Sequence, residues 1–136
     1  MKPIFAALIL CLALLSCKDE KKQEKDLLNE VIKVHDQVMG KDQLIMTNKM
    51  QLDTLMQVTQ NEQVKGSAKK LVQELDSADS RMENWMHNFD AENKGKSHQQ
   101  IIDYLSNQKK QIEAIDKNFN TTIAASSTFI KQNKTK

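Results

Sequence analysis

The sequence has few of the residues that make turns and cross-links. Its 136 residues include three glycines, one proline and two cysteines, and only 4% of them are aromatic. Because tight turns depend on glycine and proline, this composition disfavours a strand-rich fold and favours helices. A chain of this length is expected to form one small domain.

The N-terminal residues have the pattern of a bacterial lipoprotein signal. Lys2 supplies a positive charge, Ile4 to Leu15 form an apolar run of twelve residues, and Ser16 precedes Cys17. A bilayer span takes roughly 17–25 residues, so this run is too short to cross a membrane. We expect cleavage after residue 16 and a lipid on Cys17, with an ordinary secretory signal as the alternative. Cys11 then leaves with the signal and Cys17 is consumed by the lipid, so the folded part has no disulfide.

Charge is nearly balanced along the chain, with 20 Lys and Arg against 18 Asp and Glu and a net charge of +2. This balance argues against nucleic acid as a partner. Residues 17–26 are mostly charged and have no apolar residue after the cysteine, so they are predicted to form a tether between lipid and domain. The domain is expected over residues 27–131, followed by a polar tail over residues 132–136.

Apolar residues follow helical spacing in three segments from Leu27 onward, which predicts helices at about 24–59, 62–89 and 97–131. Asn93 and Gly95 supply loop residues before the third helix, and Ser97 with Gln100 forms a capping box at its start. The clearest apolar stripe alternates steps of four and three and consists of Val64, Ala68, Leu71, Leu75, Ala78, Met82, Trp85 and Phe89. Trp85 lies within this stripe and is predicted to be central to the core.

Short connections between long helices predict an all-α, antiparallel three-helix bundle. Gly40 lies inside the first segment, and a single glycine costs a helix only about 1 kcal/mol relative to alanine. One long helix, kinked at Gly40, is therefore favoured over a break that would give four helices. Asp42, Lys49 and Gln108 interrupt the stripes, either as rim residues or as polar core residues that set the register.

Two short segments carry a resemblance to known proteins. His35-Asp36 followed by Val38-Met39, and the later run Trp85 to Phe89, resemble a family of small Bacteroidota lipoproteins that are often auto-labelled "viral A-type inclusion protein". The chain departs from that family at Gly40, where the family carries proline. The resemblance implies an anchored helical protein and assigns it no activity.

Methionine and histidine residues are predicted to gather in one layer of the bundle. A turn near residue 61 would bring His35 and Met39 level with His87 and Glu83, so that Met82 and Met86 lie close by. A turn near residue 93 would bring Tyr104 level with Met82. Thioether and imidazole ligands suit Cu(I), and a Met/His pair can hold haem, so copper or haem binding by His35, Met39, Met82 and Met86 is an alternative function. The preferred interpretation is a core layer without metal, because methionines at helical spacing usually fill gaps in a core.

The chain lacks the sequence patterns of common catalytic sites. It has no P-loop, no G-x-S-x-G and no H-E-x-x-H, and the acidic loop after Asp90 has Ile101 where a calcium loop needs glutamate. The sequence therefore predicts a non-enzymatic lipoprotein without a cofactor other than the lipid on Cys17. We expect it at the outer membrane, on the periplasmic face or the cell surface, where its bundle has a structural role or binds a protein partner.

Overall fold

The chain folds into an all-α bundle. A computed structural model describes the backbone of residues 3–134 and the side chains of residues 19–134. Four helical segments follow one another: α1 (Pro3–Met39), α2 (Asp42–Val58), α3 (Glu62–Asn88) and α4 (His98–Asn133), with no strand between residues 3 and 134. The predicted fold class is confirmed.

Helix ends lie where polar side chains satisfy the free backbone amides. At the start of α3, the Asn61 side chain accepts hydrogen bonds from the amides of Gln63 (3.0 Å) and Val64 (3.2 Å). At the start of α4, Ser97 and Gln100 form the predicted capping box. The loop between α3 and α4 turns through two left-handed residues, Asn93 (φ 50°) and Gly95 (φ 77°), as the sequence indicates.

The interruption between α1 and α2 does not reverse the chain. The Gly40 amide still donates to the Asp36 carbonyl at 2.9 Å, and α2 begins two residues later. Contacts with α4 keep a nearly constant sequence offset on both sides of the break. Glu30 of α1 forms an ion pair with Lys109 of α4, and Asn48 of α2 donates a hydrogen bond to Ser126 of α4. The two segments therefore run in one direction along α4. The bundle is up, down and up, which is the course expected for one long helix kinked at Gly40.

The core consists of apolar side chains at heptad spacing. Along α1 and α2, Val31, Val38, Ile45 and Leu52 are each 0% exposed, so the stripe keeps its phase across the break. The buried apolar residues of α3 are Ala68, Leu75, Ala78, Met82 and Trp85, and those of α4 are Leu105, Ile112, Phe119 and Ile130. On α3 these are members of the predicted stripe, whose remaining three residues are partly buried.

One buried polar contact links α2 to α4. Asn48 is 6% exposed, and its side-chain amide donates to Ser126 Oγ (2.8 Å), Ser127 Oγ (2.9 Å) and the Ile123 carbonyl (3.2 Å). Asp42, Lys49 and Gln108 are each partly buried, which fits the rim alternative, whereas the buried polar residue of α2 is Asn48. A buried amide that reaches acceptors in a single register favours that register over a slipped one.

The helix begins well before the predicted start at about residue 24. Residues of the expected tether continue α1, with a Lys22–Asp26 ion pair of 2.7 Å along the helix and Glu24 lying 2.8 Å from His98 Nδ1. Lysine, glutamate and glutamine favour helices, so a charged segment can stay helical without burying apolar surface. The side chain of Cys17, the predicted lipidation site, lies outside the described side chains.

Replacing Trp85 with alanine should destabilise the domain by about 3–5 kcal/mol, because a large buried side chain is lost and a cavity remains. Trp85 is 7% exposed and stacks on Phe89 with 4.7 Å between ring centroids. Urea unfolding followed by circular dichroism measures the loss. Met50, which is 64% exposed, supplies the control, and Met50→Ala should change stability by less than about 0.5 kcal/mol. Equal effects of the two substitutions would show that Trp85 is not a core residue.

Candidate functional site

The open edge of the bundle lies between α1 and α3. α4 packs along α1, α2 and α3, and α2 packs on α3, but the backbones of α1 and α3 come close at few points. Side chains bridge this wider gap, as where the rings of His35 and Trp85 lie 6.0 Å apart. A groove therefore runs from the N-terminal half of α2 along the end of α1, with α3 as its other wall. We call it the methionine groove, after Met39, Met46, Met82 and Met86, which line it.

The methionines differ in exposure, so the groove has a buried base and an accessible surface. Met82 is 2% exposed and belongs to the core. Met39, Met46 and Met86 are 40%, 58% and 36% exposed, which is unusual for large apolar side chains beside a core. Methionine is flexible and polarisable, so such a surface can adapt to different apolar partners.

The four predicted metal ligands do not all meet. Met39, Met82 and Met86 line the methionine groove, as the sequence predicted for these three, but His35 does not. His35 lines an adjoining hollow with Met86 and Trp85, and its Nδ1 lies 2.9 Å from Asp36 on its own helix. Three thioethers and one imidazole therefore do not line a common groove.

The other residues of the predicted layer are also displaced. Tyr104 lies beside Phe89, with ring centroids 6.3 Å apart, instead of beside Met82, and its hydroxyl accepts from the Asp90 amide at 2.7 Å. The predicted register placed the start of α4 level with the end of α3. The structure shows the first turn of α4 packed on α1 through His98 and Glu24 instead. That contact shifts α4 along α3, and the expected register of these two helices is wrong by about two turns.

Carboxylates also line the methionine groove, on both of its walls. Asp42 begins α2, and Asp79 and Glu83 lie one turn apart on α3. Most described carboxylates are paired with a lysine or a histidine, but these three take part in no ion pair formed by residues 19–134. Lys49 lies at the same groove and pairs with Asp76.

The crowding of these carboxylates affects Asp79 most. Desolvation, followed by the negative charges of Asp42 and Glu83, raises the pKa of Asp79 above its usual value of 3.8, and Lys49 offsets only part of the effect. In the described part of the chain, no three His, Cys, Asp or Glu side chains are arranged to hold a metal ion. The groove is therefore apolar and negatively charged, without a cluster of carboxylates suited to a hard cation.

Two features of the groove were not expected from the sequence. Neither Met46 nor Asp79 is among the candidate site residues that the sequence predicts. A signal for Met46 exists in the sequence. Ile32, Met39 and Met46 repeat every seven residues, and each follows directly after a residue of the buried stripe of α1 and α2. A signal for the pair of Asp42 and Asp79 also exists, because the two residues lie at nearly equal distances along the chain on either side of the turn near residue 61.

Neutralising Asp79 should stabilise the domain at neutral pH. A carboxyl group whose pKa is raised in the folded state destabilises the fold when ionised, so stability falls as the pH rises from 3.8 through the raised pKa. Asp79→Asn should raise the thermal midpoint at pH 7 by about 2–4 °C, and the gain should vanish below pH 3.8. Asp103→Asn, which removes an exposed carboxylate away from the groove, is the control. A gain that is equal at both pH values would contradict this assignment.

Comparisons with known proteins identify no relative: no family model, curated protein or solved structure matches the chain. In the part of the chain that the structure describes, no helix is both long enough and apolar enough to cross a membrane. Function must therefore be argued from the sequence pattern and from the methionine groove.

Proposed function

We propose that this protein is a lipid-anchored lipoprotein of the cell envelope whose helical bundle is a non-catalytic module that binds a protein partner. One observation carries the interaction role. Ile32, Met39, Met46 and Met86 are each at least 36% exposed and form an apolar surface that continues the core along an open edge. Exposed apolar surfaces of this kind, bordered by polar residues, are typical of binding sites.

The positions of the histidines support a non-catalytic role. His35 and His98 each lie beside a carboxylate, at 2.9 Å from Asp36 and 2.8 Å from Glu24. The Nδ1 atom of His87 lies 2.8 Å from the Glu83 carbonyl of its own helix. A general base must reach the proton it removes from a nucleophile or a substrate, and none of these contacts involves a hydroxyl group.

Copper(I) binding is the less well supported alternative. Thioether sulfurs suit Cu(I), and Met39, Met82 and Met86 line one groove. His35, the only nitrogen ligand in the predicted set, lies in the adjoining hollow beside Asp36. An apolar groove with unpaired carboxylates is better explained by a protein partner than by a soft metal ion.

The anchor rests on the N-terminal pattern that ends in Ser16-Cys17. Cys17→Ser should abolish acylation, because serine cannot form the thioether, and the protein should move to the soluble fraction with its helical content unchanged. Metabolic labelling with a fatty acid, followed by membrane fractionation, measures both effects. Membrane retention of Cys17→Ser without acyl label would overturn the proposed anchor.

The interaction role predicts a reproducible partner. The intact lipoprotein, solubilised from native membranes in mild detergent, should retain the same protein in repeated affinity purifications at near-stoichiometric yield. An unrelated lipoprotein of similar abundance is the control for proteins that associate with any lipid anchor. If no protein is enriched over that control, including after chemical cross-linking in intact cells, the interaction role is wrong.

A further inference from the structure

The methionine groove and the adjoining hollow together have the length of a helix-binding site. Ile32, Met39 and Met46 follow one another at heptad spacing on α1 and α2, beside the buried stripe of Val31, Val38 and Ile45. At 1.5 Å per residue, the exposed stripe is about 21 Å long, which matches about four turns of a bound helix. Met86 of α3 lies across the groove from this stripe.

A fourth helix in this position would close the open edge of the bundle. α1 packs against α4, but its backbone comes close to α3 at few points, so the apolar side chains along the outer side of this edge stay accessible. An amphipathic helix binds in an apolar groove through apolar side chains that repeat at helical spacing. The exposed methionines supply flexible apolar contacts for such anchors.

The negative charge of the groove favours a positively charged binding partner. Asp42, Asp79 and Glu83 line the groove and form no ion pair with any residue between 19 and 134, and Asp36 borders the adjoining hollow. Lysine or arginine residues on the polar side of a bound helix would neutralise these carboxylates. An acidic helix or an anionic lipid surface would be repelled.

A second copy of the chain does not satisfy these requirements. A two-fold symmetric dimer through the groove would bring two acidic surfaces together, each with three carboxylates and Lys49. No other folded face suits the groove either, because the remaining large apolar side chains that are exposed between residues 19 and 134 are Leu44, Met50 and Val58, all on α2. Neither α4 nor the rest of α3 has an exposed apolar stripe with basic neighbours.

We propose that the methionine groove binds a basic amphipathic helix of a partner protein, with apolar anchors on Met39, Met46 and Met86 and basic residues beside Asp42, Asp79 and Glu83. This inference rests on the proposed interaction role, and it names the chemistry of the partner.

The test uses the intact lipoprotein in nanodiscs of zwitterionic lipid and two synthetic 18-residue helices. One helix has leucine on one face and lysine on the other, and the second has glutamate in place of lysine. Calorimetric titration should detect binding of the basic helix and none of the acidic helix, after subtraction of empty nanodiscs. Binding should weaken as salt rises, because the carboxylate contacts are screened.

Two pairs of variants connect binding to the groove. Met39→Gln with Met86→Gln should weaken binding about tenfold or more, whereas Met50→Gln, on an exposed methionine outside the groove, should not. Asp79→Asn with Glu83→Gln should weaken binding and reduce its salt dependence, whereas Asp103→Asn should leave both unchanged. Thermal melts of each variant confirm that the fold is intact, since all of these side chains are accessible.

Several results would overturn the proposal. They are equal binding of the two helices, no binding of the basic helix, and equal effects of the groove and control variants. These results are distinguishable from failure of the interaction role, because affinity purification of the native partner does not depend on the synthetic helices. A native partner that is retained by the Met39→Gln and Met86→Gln variant would leave the interaction role standing and reject the groove as its site.

Discussion

Parallel packing of α4 along α1 and α2 is the constraint on which the other features depend. The offset between contacting residues is nearly constant, from Glu24 beside His98 to Asn48 beside Ser126, so one straight helix supports both segments of the kinked one. The core stripe stays in phase through the break at Gly40. The backbone of α2 packs closely on α3, whereas the backbone of α1 comes close to α3 at few points. The open edge therefore lies between α1 and α3.

Much of the fold follows from short-range patterns in the sequence. Apolar spacing over Val64–Phe89 defines α3 because its period is regular, and the capping box at Ser97 marks the start of α4 because its side chains bond backbone amides locally. The register between helices was harder to predict from the sequence. Asn48 looked like any polar residue at the edge of a stripe, and His98 gave no sign of its contact with Glu24, because both contacts join residues more than 70 positions apart.

The candidate site was predictable only in part, for the same reason. Helical spacing brings Met82 and Met86 to one wall and Met39 to the other, since a short turn near residue 61 fixes which residues face each other. Exposure was not predictable, because it depends on whether α1 closes against α3. The carboxylates of Asp42 and Asp79 lie near each other through the register of α2 on α3. Desolvation, together with the charge of Asp42, raises the pKa of Asp79, so its ionised form is disfavoured in the fold.

The position of the groove along α1 suits a partner outside the membrane. Met39 lies 20 residues after Asp19 in one continuous helix, which corresponds to about 30 Å at 1.5 Å per residue. An anchor at Cys17 would hold a groove at this height well beyond the lipid headgroups when the helix stands upright. The carboxylates would also disfavour contact with anionic lipid. The proposed lipid anchor, with an open edge some 30 Å along α1, would thus place an acidic apolar groove where a helix from another protein could reach it.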